Sequence, residues 1–217
     1  MLRFAEEIVL LALNDETGKI SRNVPEQSLE CAIAGALLME LDFLNRIDTG
    51  VESITLVNSD PTGDPLLDET VAILGKVGKS TPIVKALAKL MLKAGEFERR
   101  LLASLVHKGI LKEENKSFLW MKGERTYPML DGREESEVRT RIRMIILTDT
   151  LPDPRDVAII SLMEACRLYR TVFLNEELSE CRKRIAKVAK MDFIGQGIAK
   201  LLKLTDSRPV EQIAHSV

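Results

Sequence analysis

Apolar residues recur at three- and four-residue spacing through most of the chain, a pattern that predicts a mainly α protein. The first such segment covers 2–14 and stops at Asn14-Asp15-Glu16-Thr17-Gly18, a run with the composition of a turn. A second covers 27–45, where Leu29, Ile33, Ala36, Leu37, Met39 and Leu41 suit a core-facing surface. Over 47–57 the helical spacing is lost, which predicts a hairpin around Asp48-Thr49-Gly50. Helices are predicted over 64–77 and 82–94, the second with Thr81 as N-cap and Pro82 at its first position; Gly95 is expected to break the next connection. A helix over 97–108 ends at Gly109, after which strands at 110–112 and 117–121 would flank a polar loop, Glu113-Glu114-Asn115-Lys116. The order helix, turn, hairpin therefore occurs twice, as a weak internal repeat of winged-helix-like units. The last third predicts helices over 134–147, over 154–174 with Asp153 as N-cap, over 176–190 and over 193–204. The fold class that follows is mainly α: a single compact helical domain with short β-hairpins over 1–204, then a loosely ordered tail over 205–217.

Composition narrows the functional classes. The 31 basic and 33 acidic residues give a net charge of −2, so no bulk attraction to nucleic acid or anionic lipid is expected and only a local basic patch could act. Basic residues gather at Arg99-Arg100, at Arg139, Arg141 and Arg143, and again at Arg182, Lys183, Arg184, Lys187 and Lys190, and most read as solvated helix faces balanced by nearby acids. Cys31, Cys166 and Cys181 are widely spaced and odd in number, which suits buried free thiols in a reducing compartment. The opening segment carries Glu6 and Glu7 among its apolar residues, unlike a signal peptide, and no later run has the length of a transmembrane helix. Any membrane association is therefore expected to be peripheral, from a cytoplasmic location.

Catalytic chemistry finds little support. Gly75-Lys76-Val77-Gly78-Lys79-Ser80 ends like a phosphate-binding loop, but G-x-x-x-x-G-K-[ST] would need glycine at 73, which is Ile73, and a strand where the pattern is helical. His107 and His215 are the only histidines, and H-x-x-x-H, C-x-x-C and G-x-S-x-G are absent. No catalytic residue, metal site or cofactor is expected, and the chain reads as a non-enzyme.

The most informative run is Asn58-Ser59-Asp60-Pro61-Thr62-Gly63-Asp64-Pro65-Leu66-Leu67-Asp68-Glu69. Pro61 suits the second position of a turn, Gly63 can take positive φ, and Asp64 can cap a helix that Pro65 begins. Its four acids could be imagined around a cation, but capping and the helix dipole use Asp64 and Asp68 better. With Glu6-Glu7-Ile8-Val9-Leu10-Leu11, Gly35-Ala36-Leu37-Leu38-Met39-Glu40-Leu41, Arg100-Leu101, Leu105-Val106-His107-Lys108-Gly109-Ile110-Leu111 and Phe118-Leu119, the segment Pro61, Thr62, Gly63, Asp64, Leu66, Leu67, Asp68, Glu69 closely resembles the signature of the Golgi phosphoprotein 3 family. The absence of a long basic or Pro-rich segment ahead of the domain suggests a bacterial member.

The resemblance implies a non-enzymatic, peripheral membrane adaptor. In the eukaryotic members it implies binding of phosphatidylinositol 4-phosphate in Golgi membranes and of the cytosolic tails of glycosyltransferases. The family's headgroup pocket uses a tryptophan and several arginines, and alignment places Pro25, Ala34, Gly95 and Glu98 at those positions, so that set is not reproduced. Arg22, Arg99 and Arg100 are the nearest substitutes for a lipid headgroup, since a guanidinium fork suits phosphate. The family's membrane-inserting hairpin matches Phe118, Leu119 and Trp120; by themselves these residues fit an ordinary half-buried strand equally well. An anionic or phosphoinositide headgroup is the expected partner, nucleic acid is not, the protein clients are open, and self-association through a hairpin is compatible. The rival reading is a winged-helix-like nucleic-acid-binding or regulatory module, weakened because Lys112 and Lys116 on the wing sit beside Glu113 and Glu114.

Overall fold

Two helices without a polar face occupy the centre of the molecule, and such segments are stable only when other elements cover every side. The computed structural model describes residues 2–15, 17–116, 124–148 and 150–215. In it α1 (Phe4–Ala12) is buried along its whole length. A short hairpin of β1 (Leu13–Asn14) and β2 (Lys19–Ile20) leads to α2 (Glu26–Phe43), buried at most positions from Ser28 to Leu41. A hairpin forms within 47–57 as β3 (Ile47–Thr49) and β4 (Ser53–Leu56), but its turn falls at Gly50-Val51-Glu52 and not around Asp48-Thr49-Gly50, because Asp48 and Thr49 pair with Thr55 and Ile54 in the ladder.

Next come α3 (Pro65–Val77), β5 (Ser80–Pro82), α4 (Ile83–Met91) and α5 (Ala94–His107). The strand β5 corrects the expected helix start at Thr81 and Pro82. It pairs with β4 in the sheet order β3-β4-β5, with Thr81 buried opposite Ile54. Pro82 ends the strand, where a missing N–H is tolerated, and the next donor, Ile83 N, bonds Glu52 O at 2.9 Å. Gly95 breaks nothing: it lies in the first turn of α5, where its N–H needs no intrahelical acceptor, and the break falls at Leu92 and Lys93. Gly109, with φ of 71°, ends α5 as expected.

The second hairpin is displaced from its expected register. Its strands are β6 (Glu114–Lys116) and β7 (Glu124–Thr126), so most of the expected loop, Glu113-Glu114-Asn115-Lys116, is strand. These residues are polar at every position, so alternation could not reveal them. The expected partner strand at 117–121 lies outside the described residues.

The chain closes with α6 (Arg133–Leu147), α7 (Pro154–Ala165), α8 (Asn175–Ala189), α9 (Phe193–Thr205) and α10 (Val210–His215). Asp153 caps α7 as expected, accepting from Asp156 N at 2.8 Å. The single helix expected over 154–174 is broken after Ala165, where Arg167 takes φ of 58° and a 3-10 turn, Leu168–Thr171, carries Leu168 and Tyr169 into the core. Over four residues, periods of 3.0 and 3.6 look alike in sequence. Nor is the tail loose at 210–215, since α10 packs on α4 and buries Ile213 and Ala214. Close approach of α9 rests on glycine: a Cβ at Gly197 would stand 2.2 Å from Ile83 Cγ2.

Charge ties these helices together at their most buried point. Glu6 is fully buried on α1, and both of its carboxylate oxygens accept from Lys108 Nζ at 2.6 Å, with further donation from Ser104 Oγ and Arg3 N at 2.9 Å. Burial pushes the Glu6 carboxyl up, but these donors outweigh it and hold it below its ordinary range. Its neighbour Glu7 accepts from Arg141 Nη2 and Arg155 Nη2, each at 2.8 Å, and Arg141 also binds Asp156 at 2.7 Å. Replacing Lys108 with Ala removes a charged hydrogen bond from a buried carboxylate and should destabilise the fold by about 2–3 kcal/mol, read from urea unfolding with an unchanged m-value.

Candidate functional site

The run at 58–69 is built as a capped helix entrance in which the carboxylates of Asp64, Asp68 and Glu69 are engaged. Asn58 Oδ1 accepts from Asp60 N at 2.7 Å, and Gly63 takes φ of 83° to turn the chain. Asp64 Oδ1 then caps α3, accepting from Leu66 N at 2.8 Å and Leu67 N at 3.4 Å, while Leu66 and Leu67 enter the core. Asp68 reaches back one turn and accepts from Thr62 N at 2.6 Å and Thr62 Oγ1 at 2.7 Å, bonds that lower its carboxyl below the ordinary range. Arg46 donates to Pro61 O at 3.2 Å. The outer oxygen of Asp64 pairs with Arg3 at 2.6 Å, and Glu69 pairs with Arg100 at 2.5 Å. The capping role read from the sequence is the one adopted, and among the described residues no acidic cluster is arranged to hold a metal.

Of the three arginines expected to meet a headgroup, the structure leaves two outward. Arg22 is exposed in the turn ahead of α2, and Arg99 is exposed on α5, its Nε donating to Gly95 O at 3.3 Å. Arg100 is half-buried and directed to Glu69, with Glu96 at 3.8 Å. The hairpin residues Phe118, Leu119 and Trp120 lie outside the described residues.

The packing of α2, α5 and α10 assembles a group that sequence reasoning missed. Burial raises the Glu30 carboxyl, and the charges of Glu26, Glu98 and Glu211 raise it further. Burial and Glu26 likewise raise Glu98. Among the described residues no cation pairs with Glu30 or Glu98. The i, i+4 spacing of Glu26 and Glu30 was visible, but Glu211 lies in the stretch expected to be loose. Glu98, one of the positions where alignment puts a family arginine, therefore faces other carboxylates.

The Arg139, Arg141 and Arg143 group also differs from the expected solvated face. Arg139 pairs with Glu135 and donates to Thr171 O. Arg141 joins Glu7 to Asp156, and Arg143 binds Glu177 through two hydrogen bonds of 2.6 and 2.8 Å, holding that carboxyl down to about 2. These guanidinium groups fasten α6 to α1, α7 and α8.

Comparison with known proteins agrees with this architecture. The sequence pattern of Golgi phosphoprotein 3 (GPP34) matches residues 4–205, which takes in every element from α1 to α9. The chain is similar to vacuolar protein sorting-associated protein 74 of Eremothecium gossypii, 26% identical over 179 residues that cover 73% of this chain and 51% of that protein. It is also similar to the protein of the same name from Schizosaccharomyces pombe, 26% identical over 169 residues covering 67% of this chain and 48% of that protein. The chain spans about half the length of the curated relatives it matches.

Two outcomes test this geometry. Asp64→Ala removes an N-cap and the partner of Arg3, and should cost about 1–2 kcal/mol in chemical denaturation. For Glu98 the sign is opposite. Its folded carboxyl titrates above its unfolded value, so stability falls as pH rises from the ordinary carboxylate range through the raised value. Glu98→Gln should therefore raise Tm at pH 7, and the two melting curves should converge below about pH 4.

Proposed function

Because the chain belongs to the Golgi phosphoprotein 3 family, we propose that it is a non-enzymatic adaptor, held peripherally at the cytoplasmic face of a membrane and joined there to protein clients. The observation that carries this reading is the extent of the family match, from the first buried helix to α9. The names of the two relatives, which refer to vacuolar protein sorting, agree with an adaptor. No helix among the described residues is long and apolar enough to cross a membrane, consistent with peripheral attachment.

In this reading Arg22 and Arg99 meet anionic headgroups, with Arg100 behind them on Glu69, and the hairpin of Phe118, Leu119 and Trp120 enters the interfacial zone. The carboxylates of Glu26, Glu30 and Glu98, on the helices that follow Arg22 and carry Arg99, would oppose a multiply charged headgroup more than a singly charged one, so phosphatidylinositol 4-phosphate is expected to gain little over a singly charged lipid. Among the described residues no observation favours the nucleic-acid reading: near the second hairpin Lys112 pairs with Glu114 at 3.0 Å and Arg125 with Glu113 at 3.4 Å, which offsets those two cations.

Co-sedimentation with vesicles of phosphatidylcholine alone, with phosphatidylserine, or with phosphatidylinositol 4-phosphate tests the proposal. Binding to both anionic vesicles should be salt-sensitive, similar between them, and weakened several-fold in the combined variant Arg22→Ala, Arg99→Ala, Arg100→Ala. Trp120 emission should shift to the blue on addition of either. Vesicle binding that the triple variant leaves unchanged would remove the arginines from the membrane face, and no binding to any anionic vesicle would end the membrane reading.

A further inference from the structure

Two adjoining clefts run beside α10, of about 340 and 330 Å³, and Lys85 lines both. One lies against the end of α9 and includes Arg208; the other lies between α3 and α4 and includes Lys76, Lys89 and His215. Among the described residues no aspartate or glutamate lines either cleft. Among the described residues none of Lys76, Lys85, Lys89 or Arg208 is in an ion pair. Lys93, just beyond the end of α4, behaves differently, pairing with Glu96 at 3.3 Å and Glu69 at 3.6 Å.

This arrangement opposes its own stability. Lys85 and Lys89 are one turn apart on α4, half-buried, so like charges are held near each other on partly desolvated stems. The walls between the cations are apolar, supplied by Ile73 and Val77 on α3, Val84 on α4 and the buried Ile213 and Ala214 on α10. Glu211, the acid on α10, is absent from both linings, and its charge adds to those that raise the Glu30 carboxyl. A chain with net charge −2 thus keeps an unneutralised positive groove with a greasy floor.

We propose that this groove binds a short acidic segment of a partner protein, in which aspartate or glutamate alternates with apolar side chains, laid along α10. Three features select a peptide. The groove is two clefts in line around Lys85, which suits a chain with successive side chains better than one compact group. Its apolar walls would contribute nothing to an isolated phosphate but can bury leucine-sized side chains. Three of its four fixed cations are lysine, a flexible point charge that suits carboxylates presented at varied angles, whereas phosphate recognition favours the arginine fork. The site is separate from the membrane-facing arginines, so either assignment can fail while the other stands.

Selection from a displayed library of random 12-residue peptides on the folded full chain, followed by fluorescence anisotropy with the enriched peptides, tests the inference. Acidic–apolar peptides should be enriched, should bind more weakly as salt rises, and should lose at least about tenfold in affinity to the variant Lys76→Ala, Lys85→Ala, Lys89→Ala. The variant Lys76→Arg, Lys85→Arg, Lys89→Arg should stay within about threefold of the parent. Matching melting curves for the three proteins exclude unfolding as the cause. The inference is overturned if no acidic–apolar peptide is enriched, or if the alanine variant binds such peptides as well as the parent does. It is also overturned if phosphatidylserine vesicles or duplex DNA, and not the peptides, require these lysines.

Discussion

Adjacent buried carboxylates on α1 are the constraint on which the remaining architecture depends. A helix that is apolar on every side has no intrinsic reason to stop at one rotation or one height within a core. Glu6 and Glu7 supply that reason, because successive residues on a helix point about 100° apart and each must find its own cation. Glu6 reaches Ser104 and Lys108 on and just beyond α5; Glu7 reaches Arg141 on α6 and Arg155 on α7. Arg155 also lies 4.2 Å from the centre of the Phe4 ring, and Glu40 of α2 accepts from Phe4 N at 2.7 Å. A buried pair adds little net stability over a well-packed apolar one, but any other docking of α1 would leave a charge buried and alone. The carboxylates therefore select the arrangement that burial alone would leave open.

Arg3 extends this selection to the surface. It lies 3.3 Å from the buried Glu6 and donates to Ser104 Oγ at 3.0 Å, while its other terminal nitrogen holds Asp64 at 2.6 Å. The cap of α3 is thereby joined to the charge at the centre of the domain, and Glu69 adds a second tie through Arg100 to α5. This explains why the stretch that resembles the family so closely is a structural device. Asp64, Asp68 and Glu69 are spent on backbone amides, the Thr62 hydroxyl and arginines that place α3 against α1 and α5.

What could be read from the sequence follows from how local each determinant is. Asp64 capping α3, Gly63 and Gly109 at positive φ, and the helices over 134–147, 176–190 and 193–204 depend on neighbours within a turn, and their boundaries came out within a residue or so. The strand at Ser80–Pro82 depends on pairing with Ser53–Thr55, some twenty-seven positions away, so local propensity pointed to a helix start instead. The sequence of β6 is polar throughout, so no alternation betrays it. At the candidate site the mismatch of Pro25, Ala34, Gly95 and Glu98 with the family's ligands was visible. The carboxylate group was not, because it exists only once α2, α5 and α10 are brought together.

The short helix α10 then takes on a larger part than its length suggests. It lies beyond the span matched by the family, yet its buried Ile213 and Ala214 seat it firmly on α4. From that seat Glu211 adds negative charge to the Glu26, Glu30 and Glu98 side, while the opposite flank walls the lysine-lined clefts. A single amphipathic turn and a half thus separates a carboxylate face from a cationic groove. The domain matched by the family supplies a rigid scaffold fixed by Glu6 and Glu7, and α10, outside that span, completes the wall of the cationic clefts.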